Sequence, residues 1–178
     1  MTISPIPAEA LASAVAATRA YLRVEGAADQ AVLEQAAASA LAIGEAFTGA
    51  LFVRRSVEEQ VAAASGWAAL AAQPVSSIDA VLGADGAALA VGAYAVDIDA
   101  EARGWVRLVS GSGRMTVRYA AGLAATWDAL DAPLAQGVVL LAAHLFDRRD
   151  AGAQPPAAVA ALWRPYRRLT LAWPERAA

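Results

Sequence analysis

The sequence predicts an α+β fold: a helical hairpin and C-terminal helices packed together, with a small antiparallel β-sheet inserted in the middle. Three observations predict it. Apolar residues recur at helical spacing over the first 50 residues. Between residues 94 and 119 apolar and polar residues alternate instead. From Leu134 a nearly all-apolar run returns to helix.

The first helix is expected to start near Pro7, since proline suits a helix's first turn. Leu11, Val15, Thr18 and Leu22 form its stripe, and Val24-Glu25-Gly26 ends it. Asp29 is a suitable N-cap for a second helix. There Val32, Ala36, Ala40, Ile43 and Phe47 follow one another by three or four residues. Gly49 supplies the stop, free to take the left-handed cap conformation. Residues 51–64 mix Phe52, Val53 and Val57 with charge and suit a strand running into irregular chain.

Strands are expected over Val75–Leu82 and Ala87–Val91, joined in a hairpin by Ala84-Asp85-Gly86. In the next strand Tyr94, Val96 and Ile98 alternate with Ala95 and Asp97, the period of a half-buried strand. Trp105–Val109 is its return, and Ser110–Gly113 the next loop, most simply a hairpin loop. Met115, Val117 and Tyr119 mark a further strand. Helix resumes after the Asp131-Ala132-Pro133 cap and runs from Leu134 to Arg149, with Arg148 and Arg149 favoured at the negative end of its dipole. A short helix, Pro156–Trp163, ends at Pro165, and Tyr166–Trp173 suits extended chain. No internal repeat or domain boundary stands out. The chain is expected to be one domain, helical over 1–50 and 131–165, β-rich over about 51–122, with a tail over about 163–178.

Composition excludes much chemistry. Cysteine is absent and all 14 basic residues are arginine. Disulfides, thiolate metal sites, cysteine nucleophiles, Schiff bases and P-loop lysines are thereby removed. With one histidine, a multi-histidine metal site cannot be built. The net charge of −3 argues against gripping duplex DNA, although DNA could pass such a surface. Hydrophobic residues make up 58% of the chain, but many are alanine, which buries little area. The run Leu134–Phe146 is too short to cross a bilayer, so no membrane contact is expected. The opening MTISPIPAEAL lacks the basic and apolar regions of a signal peptide, which makes cytoplasmic synthesis the expectation.

Each candidate for chemistry has a plainer explanation. His144 sits in the most apolar helix, where a packing role outweighs a base, and no Ser lies in a G-x-S-x-G elbow. Asp97 and Asp99 share a strand face and resemble a metal-binding pair, yet acids at a strand end are commonly solvated. Asp128 and Asp131 read as loop and cap residues. Gly111-Ser112-Gly113 lacks the flanking strand and helix of a nucleotide loop. No catalytic residue, metal or cofactor is expected.

The stretch from Trp163 to Trp173 interleaves aromatics with arginine. Such a pattern suits protein docking as well as nucleic acid. Equally, Trp163 and Tyr166 can pack on the core while the arginines are solvated.

Three stretches resemble one known family. The first is Ala20-Tyr21-Leu22-Arg23-Val24-Glu25, then Asp29 and a helix reaching Gly44-Glu45-Ala46-Phe47-Thr48-Gly49. The second is Val117-Arg118-Tyr119-Ala120-Ala121-Gly122, Asp131-Ala132-Pro133-Leu134 and Leu140–Arg149 with its central Ala143-His144. The third is Pro156 to Arg168 with its Pro165-Tyr166-Arg167 close. Together they are similar to the head-to-tail adaptor, or connector, proteins of long-tailed phages and gene transfer agents. The resemblance covers nearly the whole chain, though the middle region offers no anchor and lysine positions are altered.

The resemblance implies a structural protein of the head-tail junction rather than an enzyme. It implies a twelve-fold ring beneath the portal protein, extending the DNA channel and receiving a tail-completion (stopper) protein. DNA would pass through without specific binding. A C-terminal segment would reach the portal, which maps onto Trp163, Arg164, Tyr166, Arg167, Arg168, Leu171 and Trp173. Val138, Leu141, Leu145 and Phe146 are the expected subunit-packing residues. Deletion of residues 163–178 is expected to abolish portal co-assembly and spare the fold. Two other classes compete: a small nucleic-acid-binding regulator using the helical hairpin, and a small enzyme. The second helix carries Glu34 and Glu45 and no arginine, which disfavours the first.

Overall fold

The computed structural model describes residues 1–25, 28–63, 65–147 and 156–168. The expected α+β class is the one observed. In chain order the elements are β1 (Thr2–Ile3), α1 (Ala8–Leu22), α2 (Gln30–Thr48), β2 (Arg55–Ala63), β3 (Ala68–Ala69), β4 (Val75–Leu82), β5 (Tyr94–Ile98), β6 (Gly104–Leu108) and β7 (Gly113–Ala121). A 3₁₀ turn at Trp127–Ala129 follows, then α3 (Ala132–Asp147), α4 (Ala157–Trp163) and a second 3₁₀ turn at Arg164–Tyr166. The chain divides into two compact units: residues 6–53 with 124–168 form a helical unit, and residues 1–5 with 54–123 a sheet unit.

In the helical unit α1, α2 and α3 pack on one another and α4 packs on α3. Pro7 precedes α1 as expected, and Gly49 (φ +71°) closes α2 with its N–H donated to the Glu45 carbonyl at 2.8 Å. Asp29 precedes α2 but makes no side-chain cap bond.

The buried face of α2 is displaced by one residue from the expected stripe. Leu33, Ala37, Leu41, Gly44 and Thr48 are buried, while Val32 and Ile43 are 40% and 43% exposed. Ala36 and Ala40 are buried in either placement. The reason is steric. Gly44 and the alanines let the neighbouring aromatics approach the helix closely, which a face led by Val32 and Ile43 would prevent. Two buried threonines, Thr18 and Thr48, satisfy their hydroxyls on the carbonyls of Ala14 (2.8 Å) and Gly44 (2.9 Å).

The sheet unit holds two antiparallel sheets among the described residues, ordered β1-β2-β7-β4 and β3-β6-β5. β2 and β7 pair in continuous register from Arg55↔Ala121 to Ala63↔Gly113. β4 pairs along its length with β7 and meets the segment after its own turn only at its end. The expected strand Ala87–Val91 is reduced to one bridge, Leu82↔Ala88, although Gly86 (φ +79°) does make the turn. An alanine- and glycine-rich return offers β4 few side chains to pair with, whereas β7 offers Val117, Tyr119 and Ala121.

Residues 109–112 likewise join two different sheets and are not a hairpin loop, because β6 and β7 do not pair. β5 alternates as expected, but it is an edge strand, and Val96 and Ile98 remain 41% and 38% exposed. The core of this unit comes from Val57, Val81, Val106, Met115, Val117 and Tyr119.

Candidate docking site

The residues expected to dock are organised around Trp163, the last residue of α4. Its indole is 1% exposed. The Nε1–H donates to the Leu134 carbonyl at 3.2 Å, in the first turn of α3. Two glycines make room for the ring. A Cβ on Gly137 would fall 2.6 Å from Trp163 Cε2, and a Cβ on Gly44 would fall 2.7 Å from Phe52 and 3.0 Å from Trp163. Phe47 and Phe52 close the sides, their ring centroids 6.0 and 6.1 Å from the indole. Trp163 is therefore part of its own chain's core and not an exposed docking residue. The packing alternative describes it, because a large aromatic beside two helix glycines gains most by full burial.

Beyond Trp163 the chain crosses the C-terminal end of α2. The Arg168 N–H donates to the Thr48 carbonyl at 2.7 Å, which satisfies one of the carbonyls that a helix end leaves open. The Arg167 guanidinium lies 5.7 Å from the Phe47 ring centroid. Arg164 is exposed. The half-buried Tyr166 directs its hydroxyl to the Asp131 carboxylate. Desolvation and that carboxylate together push its phenol above the ordinary range. Leu171 and Trp173 lie outside the described residues. The structure thus brings Arg164, Tyr166, Arg167 and Arg168 to one end of the helical unit, where Trp163 anchors them from within.

The expected subunit-packing residues divide in the same way. Val138 and Leu141 are fully buried in the helical unit's own core, so neither side chain is available to a neighbour. Leu145 and Phe146 are only partly buried at its border. α3 is apolar nearly all round because α1, α2 and α4 each cover part of it. Arg148 and Arg149 lie outside the described residues.

The remaining candidates resolve into structural roles. Asp99 Oδ1 accepts from the N–H groups of Arg103 (2.8 Å) and Glu101 (3.1 Å), and Oδ2 from Trp105 Nε1 (3.0 Å). Desolvation works against the charge, but these donors hold the carboxyl below its ordinary range. Asp99 clamps the β5–β6 turn, in which Ala102 takes a positive φ of 57°. Asp97 stands opposite Trp105 in that ladder. His144 is half-buried on α3. Asp131 starts α3 through its carbonyl, which accepts from Leu134 (2.9 Å) and Ala135 (3.1 Å), and Asp128 is exposed. Gly111 (φ +80°) makes an open turn. Among the described residues no three of His, Cys, Asp and Glu group as a metal site, and no helix is long and apolar enough to cross a membrane.

Gly44, Gly137 and Phe52 were not among the sequence candidates. Their signal was a glycine inside each of two helical patterns, which costs about 1 kcal/mol relative to alanine and so implies a packing reason.

No protein-family model matches the chain, and no curated protein does. Solved structures do. The chain is similar to a chain in the neck of an empty gene transfer agent (GTA) particle computed with C6 symmetry, at a TM-score of 0.77. It is similar to one in the virion of the native GTA particle (0.74) and to one in the neck of the native particle computed with C12 symmetry (0.73). In each case identity is 26%, over 96% of this chain and 97% of the other. Over nearly its whole length, the chain shares its fold with chains of gene transfer agent particles and their necks.

Proposed function

We propose that the chain is a structural adaptor of the head-to-tail junction in a phage or gene transfer agent particle. It forms a twelve-fold ring beneath the portal, extends the DNA channel and joins the portal to a tail-completion protein. The observation that carries this reading is the near-complete coverage, in both directions, by neck chains of symmetric particles. The order and spacing of the three family-like stretches support it independently. The mildly acidic balance suits DNA that slides past without being gripped. The chain is made in the bacterial cytoplasm, enters the particle there and performs no catalysis.

The test is to delete the gene in a producing strain and to look for the chain in purified wild-type particles by mass spectrometry. Filled or leaking heads without tails are expected from the deletion, and the chain is expected in the particle. Normal tailed particles, or particles lacking the chain, overturn the reading.

The portal contact is assigned to the exposed Arg164 and Arg167 and the half-buried Tyr166 and Arg168, together with the segment beyond, which includes Leu171 and Trp173. Trp163 holds their base. Removing residues 163–178 would therefore damage the fold and says nothing about docking. Truncation after Arg168 keeps the Trp163 anchor and the Thr48 contact. It is expected to give a folded protein that co-purifies less with portal; undiminished co-purification removes the segment beyond Arg168 from this assignment.

A further inference from the structure

Two helix faces of the helical unit look outward without a charge along their centres. On α2 this face carries Ala31, Gln35, Ala42 and Ala46, all exposed. Val32 and Ile43 flank it on one side, at 40% and 43% exposure. They stand eleven residues apart, about 16 Å along the axis at a rise of 1.5 Å per residue. On α1 the outward stripe is Ala12, Ala16 and Ala20, flanked at its C-terminal end by Tyr21, which is 54% exposed. Branched apolar side chains held in water beside an uncharged stripe favour burial, and alanine stripes let a second helix come close.

Charge selects between the possible occupants. α2 carries Glu34 and Glu45 and no base. Glu45 Oε1 is held by the Phe52 N–H at 2.9 Å; Glu34 is exposed, and its Oε1 accepts from Gln30 Nε2 at 2.6 Å. A contact between two α2 faces would bring acid against acid. The C-terminal end of α1 offers the exposed Arg23 instead, while Arg19 donates to Gln30 within its own chain. An antiparallel crossing puts Glu34 beside that basic end, Val32 beside Tyr21 and Ile43 beside Ala12. The acid at the other end of α1, Glu9, then meets Ala46.

We propose that the outward face of α2 in one copy docks antiparallel on the outward face of α1 in the next copy. Because the two faces differ, the contact is heterologous and can close into a ring. This inference rests on the ring reading above and names the surfaces that make it.

The absence of cysteine provides a clean test. Particles are produced with the Ala12→Cys/Ile43→Cys variant and oxidised, and denatured samples are run without reductant. A ladder of dimers, trimers and higher multimers is expected, with none from either single variant. Dimers from Ile43→Cys alone would mean that α2 meets α2 and would overturn the proposal. So would the double variant present in particles with no ladder. Absence of the chain from particles would instead remove the ring reading on which the proposal stands. As a second arm, Glu34→Arg and Arg23→Glu are each expected to reduce incorporation, and together to restore it. Failure of the pair to restore it contradicts the charge match.

Discussion

The largest fully buried side chain of the helical unit, Trp163, lies against two glycines; that of the sheet unit, Tyr119, lies against a carboxylate. Both are aromatic and both are 1% exposed. Around Trp163 the fit is one of shape: the rings of Phe47 and Phe52, Gly44 and Gly137, and a hydrogen bond to Leu134. Around Tyr119 it is one of polar pairing. Its hydroxyl donates to Glu59 Oε2 at 2.7 Å and accepts from the Ala72 N–H at 3.0 Å, while Glu59 Oε2 also accepts from the Ala71 N–H at 3.0 Å. Burial and the adjacent Glu59 carboxylate push the phenol far above its ordinary range, so it stays protonated and keeps donating. One unit is vulnerable to an added methyl group, the other to a lost oxygen.

The largest expected effect follows from shape. Trp163→Ala empties the centre of the helical unit and is expected to cost about 3–5 kcal/mol in urea unfolding. Gly137→Ala adds a methyl where the indole lies and is expected to cost about 1–3 kcal/mol. In the Trp163→Ala background the added methyl meets no ring, so its penalty should vanish. Equal penalties in both backgrounds would show that the added methyl meets something other than the tryptophan.

Tyr119→Phe is the sheet unit's counterpart. It preserves the ring and removes the oxygen, leaving the buried Ala72 N–H without its acceptor. About 1–3 kcal/mol is expected, together with faster amide exchange at Ala71 and Ala72. A neutral result would mean that water replaces the hydroxyl, and that the sheet unit too is held by shape.

Asp99 is the weaker polar clamp, since it is partly exposed and solvent screens it. Its folded-state carboxyl titrates below the unfolded one. Its contribution is therefore present above the unfolded value and lost as pH falls through the folded value. Asp99→Asn is expected to cost about 1 kcal/mol at neutral pH and to flatten stability over that acid range. An unchanged acid limb would remove Asp99 from the account.

Local features were legible in the sequence where local physics decides them. Pro7 and Gly49 set helix ends through their own backbone limits, Tyr94–Ile98 follows from alternation, and Val75–Leu82 from the turn that ends it. Partner choice was not legible. β4 bypasses its own turn to reach β7, and Thr2–Ile3 pairs with β2 although two residues carry no period. At the candidate site the arginines announced a surface. Trp163 did not announce its burial, because the room for it comes from glycines 26 and 119 residues away in sequence.

The smallest expected effect tests the displaced face of α2. Val32 and Ile43 satisfied the helical period, as did Leu33, Ala37, Leu41 and Gly44, because so much of this helix is apolar. Periodicity alone cannot choose between stripes one residue apart; the ring of Phe52 against Gly44 does. Ile43→Ser should therefore leave the isolated protein within about 0.5 kcal/mol of wild type. Leu33→Ala, on the buried stripe, should cost about 2–5 kcal/mol. Thermal unfolding of the two variants reads the difference directly. If Ile43→Ser destabilised the monomer as much as Leu33→Ala, α2 would be turned the other way. With Ile43 inside, no apolar flank would be left on α2 for a neighbouring copy to cover.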